Sequence, residues 1–378
     1  YRDASGRTLR LVLGTFPAVG LKDARDAALE ARSRVSKGGD PQAERKVAKA
    51  AARAERIKSL KDLADAYLEA AAERIRASSV ALDRQRIETH ILPKLGRQPV
   101  KAVTRAQVRE LVHDIGKKGH TVTANRVAGI MVKLYRFAHE QLDMSVPSPA
   151  TGLQSTFEET SRSRVLSDQE LKKLWQALQG PDFAPLTQPM ALCLQLCALT
   201  RQRGKEVSGI DASEIDLEQR IWVVPGNRTK NGRDHVVPLS AQACGVIRAA
   251  LALLPTGRRR GRAQGGPLFP SPRDAKAPIT RHALTRAMSR LCAEIDLTDA
   301  SPHDLRRTGA TNMTGERIGV PRFVVSAVLN HVSEMGGITQ VYDRNEYLPE
   351  KRKALDAWGN LITMIAAQKS AAGAKPAA

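Results

Sequence analysis

Aromatic residues make up only 4% of this 378-residue chain. That is too few for a surface built to stack unpaired bases, which needs ring after ring along a groove. Cysteine is equally sparse. Four in a chain of this length do not make a disulfide framework. Cys193 and Cys197 stand one helical turn apart in an apolar stretch and lack a second ligand pair at useful spacing. They read as core packing rather than zinc ligands, and a reducing cytoplasm fits. Long apolar runs are missing too. The longest, Met190 to Leu199, is interrupted by Gln195 and falls short of the ~20 residues a membrane span needs. No basic segment followed by an apolar one opens the chain as a signal peptide would. The chain starts at Tyr1 inside what reads as running sequence, so a true N-terminus is expected upstream. Acidic residues are the last deficit, 39 against 60 Lys and Arg.

The resulting net charge is +21. An excess of that size calls for a polyanionic partner, nucleic acid first and an anionic membrane surface second. The excess is spread over the N-terminal, middle and C-terminal parts of the chain, unlike a basic tail on a neutral enzyme. Apolar residues amount to 42%, enough for packed cores, and the length suggests two or three domains at roughly 100–200 residues each.

Residue patterns divide the chain further. Leu9 to Leu13 alternates as a strand does, and Leu21 to Val35 has helical spacing that ends at Gly38-Gly39. Asp40-Pro41 reads as an N-cap with proline in the first turn, opening a solvated linker helix over 41–57. Four helices are expected over 58–150. They would be capped by Ser59, by Ser78 or Ser79, by Thr104 and by Thr121 or Thr123, with Pro147-Ser148-Pro149 closing the bundle. Beyond it the pattern is mixed. A capping box opens at Ser167, and an apolar helix covers about 189–199. A β-hairpin is expected over 215–239 around a turn at Gly226 to Gly232. Helices follow near 240–254, 280–294, 303–317, 321–329, 335–343 and 348–367, before an Ala/Lys/Gly tail expected to be disordered. The fold class is therefore mainly α with a small β component.

Single residues with chemical potential each have an ordinary alternative. His303 and Arg306 lie one turn apart at a predicted helix start, where both can face one anion or simply be solvated. Arg203 follows the apolar helix in Thr200-Arg201-Gln202-Arg203-Gly204-Lys205-Glu206, where solvated charge is the simpler reading. Lys230 sits at the hairpin tip as many turn lysines do. His331 follows Leu329-Asn330 at a helix end, where capping would explain it. Tyr342 is one of five tyrosines, and packing would explain a lone one.

Together they are more specific. The order Arg, hairpin Lys, His-x-x-Arg, His, Tyr resembles the catalytic domain of tyrosine recombinases, the phage-integrase family. Thr200 to Glu206, Thr229-Lys230-Asn231-Gly232 with Val236 to Ser240, His303 to Thr308, and Leu329-Asn330-His331 followed by Tyr342 eleven residues on match its motifs locally. Residues 1–40 resemble the C-terminal part of the arm-type DNA-binding domain of prophage and island integrases, truncated at its start. Residues 58–150 resemble the helical core-binding domain. The resemblance implies a catalytic domain over 151–350, mixed α/β but mostly helical, and a C-terminal helix and tail over 351–378 that packs on a neighbouring subunit. Arg201 stands where the family commonly has glycine, and Gly204-Lys205 replaces arginine-glycine, but Arg203 and Glu206 stay in register.

The chemistry the resemblance implies is attack of Tyr342 on a phosphodiester, giving a 3′-phosphotyrosine and a free 5′-hydroxyl. Arg203 and Arg306 would hold the non-bridging oxygens, with Glu206 orienting Arg203. His303 would act as base, His331 would bond the phosphate, and Lys230 would protonate the departing oxygen. No metal or other cofactor is expected, nor ATP, since no G-x-x-x-x-G-K-[ST] loop occurs. Tyr347, sixteen residues after His331, is the rival nucleophile. Arg126 and Lys133, and Arg281 and Arg286, lie on helices that are candidates for contacting the duplex. The implied partners are double-stranded attachment sites, a homo-tetramer on synapsed DNA, a host DNA-bending protein and an excisionase, in the bacterial nucleoid and away from membranes. A type IB topoisomerase and an inactive DNA-binding protein remain alternatives at this point.

Overall fold

A computed structural model describes residues 1–2, 7–45, 55–160, 162–180, 185–254, 265–331 and 346–368. The chain divides into two compact units, Tyr1–Ser161 and Arg162–Ala378.

In the first unit, helix α1 (Leu21–Ser36) ends before Gly38, whose φ of +83° suits glycine. The alternating run at Leu9–Leu13 forms no strand among the described residues. Beside it lie the Arg2–Thr8 bridge and a bond exchanged in both directions between Leu9 and Tyr1, with Leu9 N–H donating to Tyr1 O at 2.7 Å and the Tyr1 amine donating to Leu9 O at 3.0 Å. Alternation needs a partner strand to satisfy the backbone, and among the described residues none lies alongside. Asp40 does cap, accepting from the Gln42 and Ala43 N–H groups at 3.0 and 3.1 Å.

A helical bundle follows: α2 (Leu60–Ala72), α3 (Ala77–Arg86), α4 (Leu92–Leu95), α5 (Arg105–Lys117) and α6 (Thr121–Leu142). Ser59 and Thr104 cap their helices as expected, and each does so through a capping box, with Asp62 and Gln107. Ser78 and Ser79 are not caps. The helix starts two or three residues earlier than such caps would place it, after Arg76, whose carbonyl accepts from the Ser79 and Val80 N–H groups. Between α3 and α4 a π-helical turn over Ile87–Ile91 widens the path just before Pro93. Proline there can neither donate nor tolerate a regular carbonyl beneath its ring. Leu60, Leu63, Ile87, Ile91, Val112, Met131 and Leu134 form the core.

Residues 151–160, expected to begin the next domain, pack on this bundle instead. Leu153 joins the core. The backbone of Phe157 is clasped by the buried Asn125 side chain, which donates to the Phe157 carbonyl at 2.7 Å and accepts from its N–H at 3.1 Å. The Phe157 ring occupies the space that a Cβ at Gly116 would fill.

The second unit is built around α8 (Gln188–Thr200), from Met190 to Thr200 buried at every position and so apolar all round. Against it pack α7 (Asp168–Leu178), α10 (Ala241–Ala252), α11 (Arg281–Glu294), α12 (Pro302–Thr314) and α14 (Leu348–Ala367), with α9 (Gly204–Ser208) and α13 (Arg322–Val328) at its C-terminal end. Cys193 and Cys197 lie in this core as free thiols.

The expected hairpin is a three-stranded antiparallel sheet. A turn with Arg220 at φ +54° splits the predicted first strand into β1 (Ile215–Asp216) and β2 (Ile221–Val224), and β2 pairs with β3 (His235–Pro238). A second small hairpin, β4 (Pro270–Ser271) with β5 (Asp274–Pro278), was not legible in the sequence, because short exposed strands carry no apolar alternation. Helix α14 is not a detached tail. It buries Leu355, Trp358, Leu361, Ile362 and Ile365 in the core of its own unit. The predicted helix at 335–343 lies outside the described residues. Among the described residues no helix is long and apolar enough to cross a membrane.

Candidate active site

The C-terminal end of α8 is where the candidate residues gather. Arg201 stops the helix in the left-handed region at φ +63°, and Gln202 and Arg203 turn the chain into α9. Glu206, one turn on and buried, holds Arg203 in two ways. Its carboxylate accepts the Arg203 backbone N–H at 3.0 Å and the guanidinium at 3.1 Å. This lone cap with an ionic arm fixes where the half-exposed Arg203 guanidinium points.

Helix α12 brings in the His-x-x-Arg pair. Ser301 and Asp304 form a capping box, and Pro302 fills the first turn where its missing N–H costs nothing. His303 and Arg306 are thereby fixed one turn apart. Arg306 is buried, and its guanidinium donates to the carbonyls of Arg201 and Leu329. Burial pulls it down to about 9, with Arg203 adding to the effect and Glu206 opposing it. It remains a cation at neutral pH, but one stripped of water and crowded by a second cation, and so suited to an incoming anion. Burial also lowers His303, followed by Arg306 and Arg307, while Asp304 opposes and Arg203 contributes further. The imidazole is thus held neutral, as a base must be.

Lys230 lies exposed in the turn between β2 and β3. That turn is braced from within. The buried Thr229 hydroxyl donates to the Arg233 carbonyl at 2.8 Å, and Asp234 accepts the Gly226 N–H at 2.7 Å. Arg228 beside it pairs with Glu214 and donates to the Glu206 carbonyl at 2.5 Å, tying the turn to the arginine segment. Asn231 donates across to Asn330 Oδ1 at 2.7 Å. Asn330 ends α13 at φ +47° and precedes His331, whose N–H donates to Ser326 O at 3.1 Å. The lysine turn and the histidine end of α13 are therefore linked directly.

Five of the six predicted catalytic positions, Arg203, Lys230, His303, Arg306 and His331, lie on elements joined by these bonds. The sixth, Tyr342, lies outside the described residues. Its rival Tyr347 stands at the start of α14, with its ring edge-on to Phe323 at 5.2 Å. The four residues proposed from their helices fall into two groups. Arg126 pairs with Glu159 at 2.9 Å, and Lys133 pairs with the buried Asp83 at 3.0 Å. Arg281 and Arg286 are exposed on α11, with no carboxylate paired to them among the described residues.

The sequence reading gave no role to Arg201, Asn231 and Asn330, although they lie inside the matched motifs, and it did not single out His235. What they do depends on partners 93 to 105 residues away, which local sequence does not show.

Comparison with known proteins gives the same picture. Residues 164–348 match the phage integrase family, residues 60–150 the phage integrase central domain, and residues 1–48 an arm DNA-binding domain. The chain is 25% identical over 373 residues to the prophage integrase IntA of Escherichia coli K12, covering 96% of this chain and 84% of that protein. It is 23% identical over 378 residues to the integrase of enterobacteria phage P4, covering 94% and 80%. Its fold resembles lambda integrase in a dimer bound to a COC′ core site, with a TM-score of 0.58 at 17% identity over 92% of each chain. It also resembles the Tn1549 transposon integrase, with a TM-score of 0.57 at 13% identity over 73% of this chain and 92% of that one. With all three segments matched in this order, the chain belongs to the phage integrase family, whose members are DNA breaking-rejoining tyrosine recombinases.

Proposed function

We propose that this protein cuts and rejoins double-stranded DNA at attachment sites to integrate or excise a mobile element, with Tyr342 as the nucleophile. The observation that carries this reading is the convergence of Arg203, Arg306 and His303, with both arginines close enough to add to the effect of burial in lowering His303, beside a lysine turn bonded to the His331 helix end. A phosphodiester under attack gathers negative charge on its non-bridging oxygens. Two oriented guanidiniums beside the positive end of α12 are suited to stabilise that charge.

In the proposed step the Tyr342 oxygen bonds to phosphorus and gives its proton to neutral His303. The bond from phosphorus to the 5′-oxygen breaks, and Lys230 protonates that oxygen. His331 donates to the phosphate. The phosphotyrosine keeps the energy of the broken bond, so the reverse attack by a 5′-hydroxyl reseals the strand without a nucleotide cofactor. The lambda integrase tetramer bound to a Holliday junction, which this chain resembles in fold at 18% identity and a TM-score of 0.58, supports a tetramer on synapsed sites as the working assembly. A host DNA-bending protein and an excisionase are proposed as accessory partners, and the nucleoid as the place of action. The exposed Arg281 and Arg286 are proposed to contact DNA phosphates directly. Arg126 and Lys133 would first have to exchange Glu159 and Asp83 for phosphate, so binding is expected to weaken steeply with salt.

The test uses nicked suicide duplexes built from the ends of the element that carries the gene. The wild-type chain should become covalently joined to the 3′ side of the break. Tyr342→Phe should bind the same duplex without joining it. An adduct formed by Tyr342→Phe would remove Tyr342 from the role. No adduct from the wild type would leave a DNA-binding protein, and an adduct without strand exchange would favour a topoisomerase.

A further inference from the structure

Among the described residues Arg201 is the most deeply buried cation of the second unit, with no exposed surface. Its position is unfavourable twice over. The left-handed φ of +63° is one where glycine is at ease and a side chain costs about 1 kcal/mol. Full burial of a guanidinium adds a desolvation penalty of several kcal/mol unless carbonyls or rings replace the lost water. Burial and the neighbouring Arg306 accordingly lower its basicity well below the ordinary arginine range.

What replaces the water is specific. Arg201 Nη2 donates to the backbone carbonyl of Arg306, and Arg306 Nη1 donates back to the carbonyl of Arg201. Arg201 Nη1 reaches the Ala198 carbonyl at 3.4 Å, and the guanidinium lies 4.9 Å over the Trp358 ring. Trp358 Nε1 donates to that same Ala198 carbonyl at 2.8 Å. Gly309, one turn beyond Arg306, makes the room, since a Cβ there would fall on the guanidinium.

From this reciprocal exchange, and resting on the reading of Arg306 as a phosphate-holding residue, we infer that Arg201 is a positioning residue for the reaction, holding the Arg306 backbone and guanidinium in the geometry the scissile phosphate requires. A side chain that only filled the core would need neither the two-way exchange with Arg306 nor a strained backbone. Arg201 reaches the reacting atoms through Arg306 alone, because it is sealed from solvent and from any substrate. The remaining N–H donors of Arg306, beyond those given to Arg201 and Leu329, are left for the phosphate.

The experiment measures covalent joining of the full chain to two nicked duplexes. One carries the ordinary scissile phosphate and the other a neutral methylphosphonate at that position. Arg201→Gly suits the backbone angle and removes the guanidinium. It should slow joining to the phosphate about 10- to 100-fold, the cost of a displaced charge donor, with Kd for the duplex changed less than about twofold. On the methylphosphonate, where less charge develops, the loss should shrink to under about threefold, as it should for Arg306→Ala. In an Arg306→Ala background Arg201→Gly should cost nothing further. Gly309→Ala, which displaces the guanidinium and leaves Arg201 in the chain, should reproduce the defect in the wild type and be neutral beside Arg201→Gly. Equal losses on the two duplexes, or a loss that adds to that of Arg306→Ala, would make Arg201 a folding residue and overturn the inference. So would unfolding of Arg201→Gly, Arg201→Lys and Gly309→Ala alike. Failure of the wild type itself to join DNA would instead overturn the proposed function.

Discussion

Asn231 and Asn330, 99 residues apart in sequence, are joined by a 2.7 Å hydrogen bond from the tip of the β2–β3 turn to the end of α13. Both ends are set by local backbone. Asn231 lies in a turn held by Thr229 and Asp234, and Asn330 adopts a left-handed φ of +47°, which asparagine tolerates better than most residues. The bond fixes the distance between a lysine and a histidine that the sequence places a hundred residues apart.

Asn231→Ala should therefore separate positioning from stability. A neutral hydrogen bond contributes about 1 kcal/mol, so unfolding should shift little. Under the proposed role of Lys230 as the donor to the leaving oxygen, covalent joining should slow about tenfold once the turn that carries it is released. Single-turnover joining on the nicked duplex, beside a denaturation curve, is the measurement. A joining rate like that of the wild type would show that the turn finds its place without this bond.

Asp304 should matter through what it neutralises. Its carboxylate has no exposed surface and accepts from Ser301 at 2.9 and 2.6 Å, from Arg162 at 2.7 Å and from Arg307 at 3.1 Å. Burial raises its pKa, but the Ser301 and Arg162 bonds outweigh that and hold it below 3.8. Asp304→Asn takes one counter-charge from Arg307 and one from Arg162, which keeps Asp299 at 2.8 Å. Since both are partly solvated, the expected cost is about 2 kcal/mol, less than for a fully buried pair. Calorimetry should show Tm falling by about 4–8 °C. A Tm within about a degree of the wild type would mean that solvent screens the cluster completely.

His235 should give the fold an acid-sensitive slope. Its ring nitrogen lies 3.2 Å from the Val328 carbonyl, and burial together with Lys351 pulls it down to about 3, the Val328 bond opposing and Arg306 and Arg203 adding. The unfolded imidazole binds a proton near pH 6.5 and the folded one does not until about pH 3. Stability is therefore full above pH 6.5 and falls on acidification through that window, by at most about 1.4 kcal/mol per pH unit. His235→Gln keeps a donor for Val328 but no titration, so its stability between pH 6 and pH 4 should fall less steeply than the wild type's. Identical slopes would show that His235 gains its proton without unfolding.

Much of this molecule was legible in the sequence because its causes are local. Ser59, Thr104 and Ser167 cap helices through side chains three residues away, and Met190–Leu199 is buried because it is apolar on every side. The order of Arg203, Lys230, His303, Arg306 and His331 could be read for the same reason, since they lie in four short motifs, His303 and Arg306 sharing one. Errors arose where a local signal lacked a partner or a distant one prevailed. The alternation at Leu9–Leu13 meets no neighbouring strand among the described residues, Asn125 and Gly116 draw Phe157 onto the helical unit past the Pro147–Pro149 boundary, and α14 joins the core through Trp358.

The sequence by itself thus determined the helices, their caps and the set of charged residues available for phosphate chemistry. Only tertiary structure decided that Arg306 is buried and aimed by two carbonyls, that Asn231 meets Asn330, and that the Arg201 guanidinium turns inward against Arg306 and Trp358. The physical reason is range. Helix periodicity and capping act within about four residues along the chain, whereas desolvation of a charge depends on every element that closes around it.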